Sequence, residues 1–195
     1  DRLLTRLAEN ERILLQVCDL LTAAITANRR IAPAAEWLLD NFYLIDEQIR
    51  TAKRHLPKGY SRELPRLALG PSAGLPRVYD LAFEAIAHGD GRVDAESLAR
   101  FVTAYQTVAP LKLGELWAIP IMLRLALVEN LCGLAVQTLR ARQDRDAART
   151  FAAKALRAAA EGRDPGREKL EARSAKTDSI ESVVGEFLER HSRRH

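Results

Sequence analysis

Aromatic residues make up only 6% of this 195-residue chain, which has two cysteines, four histidines and a single methionine. Cys18 and Cys132 both fall inside apolar helical patterns, which excludes a disulfide framework and a cysteine-built zinc site. Both are expected to pack as small hydrophobes in a reducing compartment. Two of the histidines lie in the last five residues, so little is left for a histidine metal centre. No Gly-rich phosphate loop, no G-x-S-x-G elbow and no metal-spaced His/Glu set occurs. No basic–apolar–small leader opens the chain, and its first residue is Asp1 rather than Met, so it reads as an excerpt of something longer. What is abundant is apolar residue, at 47%. That share excludes collagen-like, mucin-like and wholly disordered classes, and the length fits one domain with or without an appendage.

The formal charge of +4 is unevenly spread. Residues 1–137 balance 16 Lys and Arg against 16 Asp and Glu, whereas residues 138–195 carry 14 against 10. A nucleic-acid binder would show a basic stripe with interleaved aromatics. The basic third offers only Phe151 and Phe187, so no nucleic-acid partner is expected. The excess reads as a solvated Arg-rich helical face, with an acidic partner or phospholipid surface as the alternative.

Apolar residues recur at helical spacing throughout, and no segment alternates like a strand. Residues 2–28 form a first amphipathic helix with Leu4, Leu7, Leu14, Cys18, Leu21 and Ile25 inward. A second helix is predicted from Pro33 to about His55, on a stripe of Leu38, Phe42, Ile45, Ile49, Ala52 and Leu56. Residues 56–76 carry four prolines and three glycines, yet Leu64, Leu67, Leu69 and Leu75 suggest that this connection lies against the bundle. Short helices follow over 77–88 and 95–108, the latter capped by Asp94. Residues 114–142 form the most apolar element. Its length suits a bilayer, but Arg124 near its centre would cost roughly 2.5–3.5 kcal/mol there, so a buried bundle helix with an irregular turn at Pro120 is expected, not a transmembrane segment. An Ala-rich helix over 144–160, a break at 162–166 and a last amphipathic run around Phe187 complete the chain. The fold class is therefore all-α: six or seven helices around a very apolar central helix. A bundle core spans 1–142, and a helical extension spans 143–195 with a polar, Arg-rich break near 162–176.

The turn Asp90-Gly-Arg-Val-Asp94 looks like the middle of a calcium loop. Aligning Gly91 with the loop's glycine puts Ile86 and Ser97 where oxygen ligands belong, so a tight turn is the better account. His88 is expected to make a turn-stabilising hydrogen bond. The carboxylate pairs Glu36/Asp40 and Asp46/Glu47 suit ion pairing better than glycosidic chemistry. No catalytic, cofactor-binding or metal-binding residue is identified. Polar residues do stand inside the most apolar segments: Glu36 and Asp40 beside Trp37, and Glu115, Arg124 and Glu129 around Trp117. A buried charge must be paired. Arg124 is therefore expected to meet Glu36, Asp40, Asp46 or Glu129 in a structural or docking network, and Arg124→Met to melt the bundle.

Five segments carry a resemblance. Ala35-Glu-Trp-Leu-Leu-Asp-Asn-Phe-Tyr-Leu-Ile-Asp-Glu-Gln-Ile49 and Gly114-Glu-Leu-Trp-Ala-Ile-Pro-Ile-Met-Leu-Arg-Leu-Ala-Leu-Val-Glu129 are the specific ones. Leu56-Pro-Lys-Gly-Tyr60 with Arg62-Glu-Leu-Pro65, Pro76-Arg-Val-Tyr79 and His88-Gly-Asp-Gly-Arg92 are shorter. In this order, over about residues 33–135, they resemble the N-terminal region of cyclic β-1,2-glucan synthases. The resemblance implies a large multi-domain parent in the bacterial inner membrane that uses UDP-glucose and a divalent metal, primes on itself, and elongates and cyclises a β-1,2-glucan. It implies for this piece a cytoplasmic-side helical accessory role without activity of its own, with the other domains of the parent as partners. None of the family's catalytic residues matches here. Glucan contact through Trp37, Tyr43, Tyr60, Tyr79 or Trp117 is a further expectation, although most of these lie in apolar patterns that suit core packing. A free-standing interaction module with a basic C-terminus is the alternative.

Overall fold

A computed structural model describes residues 2–56, 59–89 and 91–161, together with Gly185 and Phe187. Six α-helices are present among the described residues: α1 (Arg2–Thr26), α2 (Pro33–Asp40), α3 (Phe42–His55), α4 (Arg77–His88), α5 (Ala95–Val108) and α6 (Leu113–Ala160). No strand forms among them; an isolated bridge between Arg66 and Pro76 is the nearest approach. The all-α reading holds. The bundle is organised around α6, against which α4, α1 and α3 make the most extensive packing.

The reason lies in the spacing of apolar residues. In α1 the buried positions are Leu3, Leu7, Asn10, Leu14, Val17, Leu21 and Ala24, with Ile13 beside them. These steps alternate between four and three, the repeat that lets two helices interlock along their length. In α6 the same alternation runs through Glu115, Ala118, Met122, Leu125, Glu129, Cys132, Val136 and Leu139. Ion pairs Arg6–Glu129 and Arg29–Asp146 advance together along both elements, so α1 and α6 run in the same direction. The stripe expected for α1 was centred one position off. Leu4 and Cys18 are half-buried and Ile25 is exposed, because Leu3, Val17 and Ala24 occupy the seam instead.

Two helix boundaries differ from expectation. The single helix expected over 33–55 is interrupted at Asn41, whose backbone leaves helical geometry (φ −108°, ψ 8°). Its side-chain amide donates to the Trp37 carbonyl at 2.8 Å, competing for the acceptor that its own backbone N–H reaches at 3.0 Å. The inward stripe survives the break, since Leu38, Ile45, Ile49, Ala52 and Leu56 are all buried. Conversely, the helices expected over 114–142 and 144–160 are one, because Arg142-Gln-Asp-Arg145 is polar but contains no breaker. Pro120 sits inside α6 without ending it; it lacks an N–H for the Leu116 carbonyl. By length and composition α6 could cross a membrane, yet half of its most apolar 18-residue window is buried in the bundle. The expected break near 162–176 lies outside the described residues.

The remaining elements follow their local chemistry. Asp94 caps α5 by accepting from Ser97 N–H at 2.8 Å, a backbone bond that holds its carboxyl below the usual range. Gly89 and Gly91 end α4. A Cβ at Gly89 would lie 2.2 Å from the Arg92 carbonyl oxygen, and Gly91 adopts φ +79°. His88 Nδ1 lies 2.9 Å from the Glu84 carbonyl oxygen. At the end of the 56–76 connection, residues 65–77 fold back as a small hairpin, Leu67 N–H reaching Leu75 O at 3.0 Å and Arg77 N–H reaching Pro65 O at 2.9 Å. Leu64 and Leu75 enter the core as expected, whereas Leu69 is exposed.

The register of α1 is directly testable. Leu14→Ala, at a fully buried seam position, should cost about 2–5 kcal/mol in urea unfolding. Ile25→Ala, on the exposed side, should change stability by no more than about 0.5 kcal/mol.

Candidate functional site: two buried ion pairs and an exposed aromatic groove

Glu129 lies halfway along the core seam of α6 with 2% of its surface exposed. A carboxylate there must be compensated. Arg6 of α1 grips it with both arms, Nε donating to Oε2 at 2.7 Å and Nη2 donating to Oε1. Tyr79 of α4, itself buried, donates its hydroxyl to Oε2. Burial alone would lower the Arg6 pKa, but the hydrogen bond and charge of Glu129, followed by Tyr79, outweigh it and the pKa is raised. Leu3, Leu7, Leu125 and the buried Asn10 close around this cluster.

A second pair lies two heptads earlier. Glu115, wholly buried, receives Arg77 Nε at 2.7 Å and Nη2 at 2.7 Å, one on each oxygen. It also accepts the Lys112 N–H at 2.9 Å, closing the first turn of α6, where a negative charge complements the helix dipole. Arg77 additionally donates to the Pro110 carbonyl at 2.7 Å. Burial pushes the Glu115 carboxyl upward, but the Arg77 bond, the Lys112 N–H and both cationic charges together hold it below the ordinary carboxylate range. The Glu115 bond is likewise the main cause of the raised Arg77 pKa.

The expected partner of Glu129 is thus corrected. Arg124 is only half-buried and donates Nε to Gln48 Oε1 at 2.9 Å. It pairs with none of Glu36, Asp40, Asp46 or Glu129, and the expectation that Arg124→Met melts the bundle loses its premise. Five residues on a helix turn it through about 140°, so Arg124 faces away from Glu129. Glu36 and Asp40 are exposed and form no ion pair among the described residues, while Asp46 pairs with Arg50 at 2.8 Å on the surface of α3. Glu115 and Glu129 are brought onto one face, but their arginines come from α4 and α1. Arg6 and Arg77 were missed. The available signal was that Glu115 and Glu129 occupy α6's own seam, which requires cations on the helices packed against it.

The aromatic residues divide. Tyr79 is committed to Glu129 and sealed in the core, so it cannot touch a glucan. Tyr60 is half-buried in a 3-10 turn (Tyr60–Arg62) packed on the core. Trp37, Tyr43 and Trp117 are 53%, 66% and 76% exposed, which corrects the core-packing expectation for these three. Trp37 forms part of a groove of about 390 Å³ between α2–α3 and α6, together with Leu44, Gln48, Leu123, Arg124, Leu127 and Leu131. Tyr43 borders a separate, charged hollow on α3 with Asp46, Arg50 and Lys53.

The thiols offer little reactivity. Cys132 is buried in the core, and burial, with a contribution from Asp19, pushes the Cys18 thiol up to about 11. Among the described residues no three His, Cys, Asp or Glu side chains converge to hold a metal ion.

Two outcomes test the ion pairs. Arg6→Met strands the Glu129 carboxylate and should cost about 3–5 kcal/mol, most of it recovered when Glu129→Leu and Tyr79→Phe are added. Because the Glu115 carboxyl is depressed in the folded state, its contribution is complete above the ordinary carboxyl pKa of about 4.3 and is lost as pH falls through the depressed value. Thermal melts at neutral pH and at low pH should show this loss, and Glu115→Gln should remove that part of the pH dependence.

No family model matches the chain. A curated relative does: the cyclic β-(1,2)-glucan synthase NdvB of Rhizobium meliloti (strain 1021) is 38% identical over 149 residues. That alignment covers 76% of this chain but only 5% of the relative's length. The resemblance drawn from residues 33–135 is borne out: over three-quarters of its length, this chain is similar to one short stretch of a cyclic β-1,2-glucan synthase.

Proposed function

We propose that this chain is a non-catalytic helical accessory region of a cyclic β-1,2-glucan synthase, packing against other parts of that polypeptide on the cytoplasmic side of the inner membrane. The sequence relation to a synthase of far greater length carries the reading. The chemistry of the interior supports it. Both buried carboxylates are held in arginine forks, and a carboxylate so engaged, with its basicity reduced as for Glu115, is poorly suited to acid–base catalysis. Among the described residues no three His, Cys, Asp or Glu side chains converge to hold the divalent metal implied for the parent. Nucleotide-sugar chemistry in this reading belongs to other parts of the parent.

The alternative, a free-standing module whose basic C-terminus binds an acidic partner or membrane surface, is not favoured by the relation to NdvB. Most of that basic segment lies outside the described residues. Of the five aromatics first considered, Trp37, Tyr43 and Trp117 are exposed and Tyr60 half-exposed, so a glucan could reach these four but not Tyr79.

The reading is tested in the R. meliloti synthase by deleting the matched stretch or replacing it with this chain. Cyclic glucan made by membranes supplied with labelled UDP-glucose should fall at least about tenfold on deletion and return in the replacement, whereas the isolated chain should transfer no glucose. Undiminished synthesis by the deletion variant, or transfer by the isolated chain, would overturn it.

A further inference from the structure

α6 carries two apolar seams. One faces the bundle; the other runs from Leu113 through Trp117, Pro120, Leu127 and Leu131 to Leu134, with the same alternation of four and three, interrupted only by Arg124 at its midpoint. Along this second seam Leu113 is 68% exposed and Leu134 49% exposed. Trp37 and Leu44 rise beside it to make the groove described above. We propose that this groove seats an amphipathic helix from elsewhere in the same synthase polypeptide, one whose apolar face carries a single carboxylate opposite Arg124. The proposal rests on the accessory-region reading above.

Charge identifies the occupant. Among the described residues Arg124 is the only charged side chain lining the groove, and its partner is the neutral amide of Gln48. A helix laid over it would strip water from a guanidinium with donors still to satisfy, which is costly unless the helix brings an acceptor of opposite charge. On α2, the helix that carries Trp37, the two charged residues Glu36 and Asp40 are both acidic and both exposed. Those acids repel an anionic bilayer and favour basic residues on the flanks of the incoming helix. A second copy fits poorly. A two-fold axis at the middle of the seam would set Arg124 against its own equivalent. The apolar positions at alternating intervals suit a helical ligand rather than an extended one. The stretch of NdvB matched here is 5% of its length, so the rest of that polypeptide is available to supply the segment.

The chain's only two tryptophans, Trp37 and Trp117, lie on this face, so their fluorescence reports its occupancy directly. The complete 195-residue chain is titrated with overlapping peptides of about 25 residues tiling NdvB outside the matched stretch, long enough to form a helix spanning the seam. At least one amphipathic peptide with an acid inside its apolar face should blue-shift the emission and saturate below about 100 µM. Arg124→Glu should weaken that binding about tenfold or more, and replacing the peptide's acid by Lys should restore it to the Arg124→Glu protein. Trp37→Ala, at an exposed position that cannot disturb the core, should weaken it as well. The proposal is overturned if no peptide binds, if binding ignores Arg124→Glu, if phosphatidylglycerol vesicles alone produce the shift, or if sedimentation shows a dimer that Leu127→Asp dissociates. Should the peptides fail while the replacement synthase still makes glucan, the groove assignment falls and the accessory role stands. Loss of both removes the two together.

Discussion

A single carboxylate sets the rotation of three helices. Glu129 sits where only apolar contact would otherwise occur, and it accepts from Arg6 of α1 on both oxygens and from Tyr79 of α4 at the same time. Apolar packing has no direction, and a seam of leucines tolerates sliding by a turn. A forked guanidinium does not. Register specificity is thus carried by the polar cluster, while the net drive to bury the seams comes from the surrounding leucines, isoleucines and valines. The Arg77–Glu115 pair fixes a second point between α4 and α6, so α4 is held near its start and the lower end of α6 is closed in the same contact.

Helix content, the extents of α4 and α5 and the Asp94 cap were legible because each rests on local chemistry: periodicity, a breaker or a capping side chain. The interruption at Asn41 was not, since an asparagine within an otherwise helical run reads as tolerated until its amide is seen to compete for the Trp37 carbonyl. The join at Arg142–Gln143 failed for the opposite reason, polarity having been taken for a break. Pairing failed most instructively. That Glu115 and Glu129 needed cations followed from the sequence; which cations did not, because Arg6 and Arg77 lie 123 and 38 residues away along the chain. Burial of Trp37 and Trp117 was inferred from apolar neighbours, yet these positions fall on the second seam of α6 and on the outer wall of α2, where a local window cannot tell inside from outside.

The division of polar groups bears on function. Among the described residues both buried carboxylates, Glu115 and Glu129, are engaged by arginine, which fixes the geometry of the core. Outside, aromatic and aliphatic side chains are displayed beside one arginine held by an uncharged neighbour. Such a surface is suited to recognition, as the proposed accessory role requires.

The 48 residues of α6 have one more consequence. At 1.5 Å per residue the helix is about 72 Å long, and roughly its last 18 residues, about 27 Å, extend where few side chains are covered. Being continuous with the segment clasped at Glu115 and Glu129, this outer part inherits their orientation. A rigid rod so anchored would act as a lever arm with the bundle as its fulcrum. A tilt of about 10° at Glu129 would swing the far end, about 46 Å away, by about 8 Å, given the rise of 1.5 Å per residue. The buried arginine forks that hold the core together therefore also fix the direction in which the last turns of α6 run, converting a local choice of hydrogen-bond partners into an orientation many residues away.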